Sequence, residues 1–277
     1  MDDYLDTVIE ALEVAKRTFQ KIKDNEERSL KQGIGAYGDV TYKIDSITEE
    51  AILKILKNRY PNALIISEES GIIGKKNGQP LILLDPVDGS TNAIHSMPFS
   101  SMAIAIARGR RFDDIIAAGV IDLYHGSMII GSKDGSITMD GKVVKPSNLT
   151  DLTQAYISID VKIRKRLKKY KCNYESLFYK VKHIRAFGTA ALETAHVATG
   201  RIDAFIEPQP ILRPFDCLPS LFLVKKAGGF VKFLFKDLEF IDLLNNDRFS
   251  YVAACNETLG FAILKTLWRA INKKLRK

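Results

Sequence analysis

Two short apolar segments of this chain end directly in acidic residues, and this feature restricts the possible folds most. Ala63–Ser67 is followed by a pair of glutamates at 68–69, and Leu81–Leu84 is followed by the segment Asp85–Asn92 (DPVDGSTN). Short apolar runs that stop at turn-forming residues predict buried β-strands. Because Pro86 lacks a backbone donor and has a fixed φ, we expect the second strand to stop there. The sequence therefore predicts strands whose ends carry carboxylates.

Residues 101–143 have the pattern of consecutive antiparallel strands. Apolar runs alternate there with glycine-containing turns, including two Asp-Gly pairs that favour hairpins. The polar stretch Lys145–Leu152 (KPSNLTDL) follows, and we place the division between two halves there. Residues 1–150 are predicted to form an α+β half with an antiparallel sheet. Residues 151–277 are predicted to form an α/β half, because alternating strands and helices indicate a mixed or parallel sheet covered by helices.

The helices are predicted from apolar residues that recur at three- and four-residue steps. Residues 2–30 predict a long amphipathic helix, and the glycine-rich residues 31–39 predict a mobile loop after it. Ser46 and Glu49 form a capping-box signal for a second helix that runs to about Tyr60. In the second half the predicted strands are 155–159, 183–187, 203–207 and 251–254, and the predicted helices are 162–180, 189–199, 216–227 and 256–275.

The composition is that of a soluble globular protein and excludes several other classes. Of the 277 residues, 46% are hydrophobic and 27% are charged, and no apolar run approaches the ~20 residues that a membrane helix needs. The acidic N-terminus is not that of a signal peptide. Three cysteines without a CxxC pair indicate a reducing compartment. We therefore expect a cytoplasmic protein with no membrane partner.

The basic character of the chain comes mostly from one segment. The formal net charge is +8, and residues 162–171 contain seven lysines and arginines and no acid, so the rest of the chain carries only +1. A run of this kind is typical of a solvated helix face, which is what we expect here. A phosphate-steering field and a nucleic-acid contact are the alternatives. Nucleic acid is therefore not an expected partner.

The residues after the second strand suit a cation and a phosphate side by side. Asp85 and Asp88 can direct two carboxylates at one point, and Mg²⁺ prefers oxygen ligands of this kind. Gly89–Asn92 resembles the start of a helix, where free N–H groups favour an anion. Metal-assisted phosphoryl transfer needs this combination. An ordinary β-turn with a capped helix would use the same residue types, but the glutamate pair at the other strand end favours the first interpretation.

The segment Asp85–Asn92 resembles the signature of the inositol monophosphatase family, whose superfamily includes fructose-1,6-bisphosphatases. Further motifs of that family follow in order along residues 1–260. They are Asp39-Val40-Thr41 with Asp45 and Glu49, Ser67-Glu68-Glu69-Ser70, Gly188-Thr189-Ala190-Ala191 with Ala198-Thr199-Gly200 and Asp203-Ala204, and Phe215-Asp216 with Ala227-Gly228-Gly229. On these motifs the chain is identified as a member, similar to archaeal dual-activity phosphatases around residues 207–216.

The resemblance implies an α/β (α+β) fold of alternating α-β-α-β-α layers with the site between the two halves. It also implies two to three Mg²⁺ ions per site. Glu68, Asp85 and the Val87 carbonyl would hold one ion. Asp85, Asp88 and Asp216 would hold a second. Glu68, with water, would help to hold a weaker third.

By the same resemblance the catalytic residues are Glu68, Ser90 and Asp45. Ser90, where the family usually has Thr, would relay the proton of an attacking water, with Asp45 behind it. The backbone N–H groups of Gly89 and Ser90 would bind the phosphate. No covalent phospho-enzyme is expected.

The resemblance also implies a set of substrate-side residues. They are Asp88, Gly89, Ser90, Gly188, Thr189, Ala190 and Glu207. A second substrate phosphate would need a cation such as Arg213 or Arg185, and an ordinary ion pair is the alternative for either arginine.

These features lead to one functional hypothesis with named alternatives. The expected activity is Mg²⁺-dependent, Li⁺-sensitive hydrolysis of a small polyol phosphate, inositol 1-phosphate first. Fructose 1,6-bisphosphate, in a dual-activity enzyme, and a 3′-phosphoadenosine nucleotide are the alternative substrates. An RNA-associated regulatory protein that keeps the fold is the alternative of another class. A homodimer is expected, with the apolar residues 101–131 as one source of its interface.

Overall fold

The computed structural model describes residues 4–160 and 175–274. Its helices are α1 (Tyr4–Ile22), α2 (Lys43–Arg59), α3 (Ser90–Ile94), α4 (Glu175–Phe178), α5 (Ala190–Ala198), α6 (Pro214–Lys226) and α7 (Glu257–Lys274). Its strands are β1 (Lys31–Ile34), β2 (Val40–Tyr42), β3 (Leu64–Ser67), β4 (Gly71–Gly74), β5 (Leu81–Asp88), β6 (Ser101–Ala107), β7 (Ile115–Asp122), β8 (Met128–Ser132), β9 (Thr138–Met139), β10 (Lys142–Val143), β11 (Tyr156–Ile159), β12 (His183–Arg185), β13 (Ala204–Leu212), β14 (Phe230–Phe233) and β15 (Phe249–Ala254).

The strands form an eight-stranded sheet, a five-stranded sheet and a separate hairpin of β1 and β2. The larger sheet has the order β10-β9-β8-β7-β6-β5-β3-β4, in which only β3 and β5 are parallel. The smaller sheet has the order β12-β11-β13-β15-β14 and is mixed, since β11 is parallel to both of its neighbours. The predicted antiparallel meander over 101–143 and the predicted mixed sheet are therefore confirmed.

The helices and sheets form alternating layers. Within β5, Ile82 faces α1 and α2, whereas the next residue, Leu83, faces α5 and α6 in the central layer. Phe205 of the smaller sheet packs into the same central layer. On the outer face of that sheet Ile157 packs with Leu259 of α7. The order of layers is α-β-α-β-α, as expected, and burial on both faces explains why the strands are continuously apolar.

The two sheets come from opposite sides of the polar stretch Lys145–Leu152. The larger sheet uses residues 64–143 and the smaller sheet uses residues 156–254. The central helices belong to the second half of the chain but pack on both sheets. The division at residue 150 stays a prediction.

Two helix boundaries differ from the sequence expectation. The first helix ends at Ile22, earlier than expected, because the polar residues that follow bring no apolar side chain to the sheet. The second helix begins at Lys43, because Asp45 rather than Ser46 caps it: Asp45 Oδ2 accepts the Tyr42 N–H at 3.0 Å. The predicted cap at Ser46 is therefore wrong.

The strand β5 continues through Pro86, contrary to expectation. Asp85 is paired with Ala103 and Asp88 with Ser101, and the register of the ladder shifts between these pairs. Because the pairing is interrupted at this irregularity, the missing N–H of proline is tolerated there.

The predicted loop after the first helix is wrong, and other predictions are not tested by the described residues. Residues 31–39 form strand β1 and the turn of its hairpin with β2, and strand β14 was not predicted. Most of the predicted basic helix, with the run 162–171, lies outside the described residues. The strands β6 and β7 are buried almost throughout within the single chain, so only the turns between the strands of 101–131 remain for a partner, and the dimer interface there stays a prediction. No helix in the described ranges is both long and apolar enough to cross a membrane.

Candidate active site

A cavity of about 990 Å³ lies where the end of β3, the end of β5, the turn before α5 and the start of α6 meet. Its acidic and polar lining comes from segments far apart in sequence. The lining residues are Tyr37, Asp39, Val40, Tyr42, Glu68, Glu69, Asp85, Val87, Asp88, Gly89, Ser90, Thr91, Asp160, Gly188, Ala190, Ile211, Leu212, Arg213, Asp216 and Arg248. All five candidate metal-ligand positions from the sequence are therefore brought together.

The parallel pairing of β3 with β5 brings Glu68 and Asp85 together. Ser67 is in register with Leu84, so the two acidic residues follow at the same edge of the sheet. The two carboxyl groups lie close enough for each to influence the other's pKa. Asp85 is 2% exposed, and its Oδ1 is buried without a hydrogen-bond partner among the described residues.

The break in β5 directs Asp88 towards the second half of the chain. Asp88 Oδ2 accepts the Ala191 N–H of α5 at 2.9 Å and the Ser101 hydroxyl at 3.1 Å. The chain then turns at Gly89, whose φ of +86° is in the left-handed region that favours glycine. A Cβ there would lie 2.8 Å from Thr189 Cγ2, so the two halves are in close contact at this point.

Asp216 reaches the cavity from the first turn of α6. Pro214 begins this helix, where no N–H is needed, and Asp216 Oδ2 accepts the Arg213 N–H at 2.7 Å. The predicted position of Asp216 at the head of an apolar helix is confirmed.

The clustered carboxyl groups raise one another's pKa. The pKa values of Glu68 and Asp85 lie well above their ordinary values because of burial first and of the neighbouring acids second. Burial also raises the pKa of Asp88 to about 7 and that of Glu69 to about 7, although hydrogen bonds to both lower it. Around neutral pH the cluster therefore needs either protons or cations to offset its charge.

The cluster fits divalent cations by its chemistry. All its donors are oxygens, as Mg²⁺ prefers, and a cation could bind Asp85 Oδ1, which is buried without a hydrogen-bond partner among the described residues. Among the described residues, no three His, Cys, Asp or Glu side chains are gathered into a ligand set for one ion as they stand. The assignment of individual ligands therefore stays a proposal.

Ser90 and Asp45 form a pair beside the carboxylate cluster. The Ser90 hydroxyl donates to the Val87 carbonyl oxygen at 2.9 Å and lies near enough to Asp45 to lower its pKa. Asp45 is 1% exposed and lies behind the cavity wall, and burial raises its pKa to about 6. The relay of a proton through Ser90 to Asp45 stays a proposal.

Glu49 of α2 organises the turn that carries Glu68. Its carboxylate accepts the Glu69 N–H at 3.3 Å, the Ser70 N–H at 3.1 Å and the hydroxyls of Ser67 and Ser70. Glu49 belongs to the motif that begins at Asp39, but no local sequence pattern predicts that it supports the turn after β3. That support depends on where α2 packs.

The other substrate-side positions are divided between the cavity and its surroundings. Gly188 and Ala190 line the cavity, whereas Thr189 is fully buried behind it. Glu207 is buried in β13, where its Oε1 accepts the Gln209 N–H at 2.8 Å. Arg185 is exposed and does not line the cavity, and its guanidinium lies 5.4 Å from the Tyr156 ring centroid.

Two arginines, Arg213 and Arg248, line the cavity. The sequence analysis named the first as a candidate and missed the second. Arg213 forms ion pairs with Asp39 and Glu68. Arg248 precedes β15 in a polar loop, and one of its guanidinium nitrogens donates to the Ile211 carbonyl at 3.0 Å. No local pattern marks it, because only the pairing of β13 with β15 brings it to the cavity.

Known proteins resemble this chain along most of its length. The sequence matches the inositol monophosphatase family over residues 4–270. An inositol monophosphatase of Dictyostelium discoideum is 30% identical over 239 residues, 83% of this chain and 85% of that protein. A fructose-1,6-bisphosphatase/inositol-1-monophosphatase of Methanothermobacter thermautotrophicus is 29% identical over 245 residues, 84% of this chain and 85% of that protein. The structure of the extragenic suppressor protein suhB from Bartonella henselae shares the fold, with a TM-score of 0.83 over 95% of this chain and 97% of that chain at 23% identity.

Proposed function

The chain belongs to the inositol monophosphatase family and is a phosphatase of that superfamily, and on this basis we propose that it is a Mg²⁺-dependent phosphomonoesterase with inositol 1-phosphate as its first substrate. One observation carries the proposal: Glu68, Asp85, Asp88 and Asp216, from three separate segments, line one cavity beside the turn at Gly89. Carboxylates that raise one another's pKa so strongly are suited to cations rather than to packing.

The proposed ligand sets follow the cluster. Glu68, Asp85 and the Val87 carbonyl would hold one Mg²⁺. Asp85 would be shared with a second ion, held also by Asp88 and Asp216, and Glu68 would contribute to a weaker third. When bound, the ions would supply positive charge to the phosphoryl oxygens and the leaving alkoxide, and they would acidify the attacking water.

The residues of the chain would position the ester and move the proton. The N–H groups of Gly89 and Ser90 would bind phosphate oxygens. Ser90 Oγ would accept a proton from the attacking water and pass its own to Asp45, whose pKa of about 6 leaves it ionised at neutral pH. Water attack breaks the phosphorus–oxygen bond of the ester directly, so no covalent phospho-enzyme is needed.

The substrate choice rests on the cations around the cavity. Gly188 and Ala190 leave room for a polyol ring, and Arg213 is already paired with protein acids, which favours a monophosphate. A bisphosphate is the second candidate, because the Methanothermobacter relative is named for both activities and Arg248 lines the cavity.

Release of inorganic phosphate would test this proposal. Inositol 1-phosphate, fructose 1,6-bisphosphate and 3′-phosphoadenosine 5′-phosphate would each be assayed with Mg²⁺, with a chelator and with added Li⁺. We expect release that requires Mg²⁺, that is fastest with inositol 1-phosphate and that Li⁺ inhibits. Equal release in the chelator would contradict the metal assignment, and a faster bisphosphate reaction would reverse the order of substrates.

We also propose that the chain forms a homodimer, which family membership supports. Light scattering should then give a mass near twice the 31.0 kDa of one chain. A mass of one chain at micromolar concentration would overturn this proposal.

A further inference from the structure

Arg213 is buried at a point where distant parts of the chain meet. Its side chain is 5% exposed, and it directly precedes α6, which carries Asp216. The carbon of its guanidinium lies 5.2 Å from the ring centroid of Tyr37 and 5.8 Å from that of Phe215. Packing against two rings holds the planar group in one orientation.

The polar partners of Arg213 come from two other segments. Nη2 donates to the Tyr37 carbonyl at 3.2 Å and to the Asp39 carboxylate, and Nη1 lies 3.4 Å from Glu68 Oε1. Tyr37 and Asp39 belong to the turn 35–39 of the β1–β2 hairpin. The guanidinium therefore connects this turn to the acidic cluster and to the start of α6.

The turn 35–39 has a second connection to the same site. The Ala36 N–H donates to the Glu69 carbonyl at 2.9 Å, and the Thr41 hydroxyl donates to the Glu69 carboxylate. Asp39 itself is 72% exposed, so it contributes little to the packed core. The ion pair between Asp39 and Arg213 is thus the charged contact that holds the turn 35–39 against the rest of the site.

We propose that Arg213 is a positioning residue that closes the turn 35–39 over the acidic cluster and holds Glu68 in place for a cation. In this role it does not bind a second substrate phosphate. Such a phosphate would have to draw the guanidinium away from Asp39 and Glu68 and would leave a buried carboxylate without its positive neighbour. The role assigned to Glu68 rests on the function proposed above.

The closure can be measured without substrate, by amide hydrogen exchange of residues 35–41 in the full chain. We expect Arg213→Met and Asp39→Ala each to speed this exchange by about tenfold or more, because hydrogen bonds to charged groups are stronger than neutral ones. Arg213→Lys keeps the charge but not the forked geometry, so it should give an intermediate rate. Arg110→Met is the control, since Arg110 forms an exposed ion pair with Asp242 away from the cavity.

Calorimetric titration with Mg²⁺ gives the second readout. We expect Arg213→Met to bind Mg²⁺ more weakly by about threefold to tenfold, while KM for inositol 1-phosphate at saturating Mg²⁺ stays within about twofold of the wild-type value. Asp39→Ala keeps the test valid if Arg213→Met does not fold, because an exposed carboxylate can be removed without a cavity.

Two results would overturn the proposal. One is unchanged exchange over 35–41 in Asp39→Ala and in a folded Arg213→Met. The other is a selective rise in KM for fructose 1,6-bisphosphate with unchanged exchange, which would make Arg213 a substrate cation. Faster exchange in a chain whose wild type releases no phosphate would support the closure and reject only the proposed function.

Discussion

Two buried glutamates outside the cavity lining shape the turns that present the candidate site residues. Glu49 accepts hydrogen bonds from the turn after β3, next to Glu68. Glu193 of α5 accepts the Thr189 N–H at 3.0 Å and the Phe187 N–H at 3.3 Å, in the turn that contacts Gly89. Each glutamate satisfies backbone donors that would otherwise be buried without partners.

Replacing Glu49 tests this support directly. Glu49→Ala should lower the free energy of unfolding by about 2–4 kcal/mol, because buried donors left without a partner cost about 1–3 kcal/mol each. It should also lower kcat, whereas Glu49→Gln, which keeps an acceptor oxygen, should recover much of both. Chemical denaturation and phosphate release would measure these effects, with the exposed neighbour Glu50→Ala as the control. Wild-type kcat in Glu49→Ala would show that the turn holds its shape without this residue.

Among the elements, the end of β5 and the start of the short helix α3 leave little room for change. The register shift at Pro86, the left-handed Gly89 and the contact with Thr189 follow one another within a few residues. Together they set where Asp88 and Ser90 point.

A comparison of Gly89 with Gly141, which lies in the turn between β9 and β10, separates backbone strain from close contact. Gly141 has a φ of +77°, and an added Cβ would meet no atom within 4 Å, so Gly141→Ala should lose only about 1 kcal/mol of stability. Gly89→Ala should lose more and should also reduce kcat, because its Cβ would lie 2.8 Å from Thr189 Cγ2 and 3.1 Å from the Phe99 carbonyl oxygen. Thermal unfolding and phosphate release check both. If Gly89→Ala lost no more stability than Gly141→Ala and kept full activity, the atoms around Gly89 would move apart at no cost.

The sequence predicted the helices and strands better than it predicted the tertiary contacts between them. Periodicity and turn residues identified the meander, most strands of the smaller sheet and the helix that carries Asp216. Local rules failed at Pro86, because an interruption in strand pairing removed the need for its N–H. They also could not predict the partner of Arg213, because Asp39 lies 174 positions earlier and approaches it only through the packing of layers.

At the scale of the whole molecule, the cavity concentrates negative charge between the two halves. Asp45, Asp88 and Glu69 have pKa values raised to about 6, 7 and 7, chiefly by burial. In each case the folded state binds a proton more tightly than the unfolded state does. Without a cation, their contribution to stability is therefore lost as pH rises from the unfolded values near 4 through these folded values.

The upward direction of these pKa shifts predicts how the stability of the fold should depend on pH and on Mg²⁺ together. In a chelator, Tm should be lower at about pH 8 than at about pH 5, because the folded cluster must give up protons that offset its repulsion. Excess Mg²⁺ should raise Tm, and more so at the higher pH, where no proton competes with the ion. Circular dichroism melts in the four conditions would measure this. A Mg²⁺ effect larger at the lower pH would contradict the predicted charge state of the cluster.

The measurement that tests the account most directly is phosphate release from inositol 1-phosphate by the wild type and by Asp85→Asn. Asp85 is proposed to bridge two ions, and its Oδ1 has no hydrogen-bond partner to lose among the described residues. The variant should therefore keep its fold and its metal-free Tm while nearly all Mg²⁺-dependent turnover disappears. A folded Asp85→Asn that retains more than about a tenth of wild-type kcat would contradict the assignment of this cluster as a metal-dependent catalytic centre.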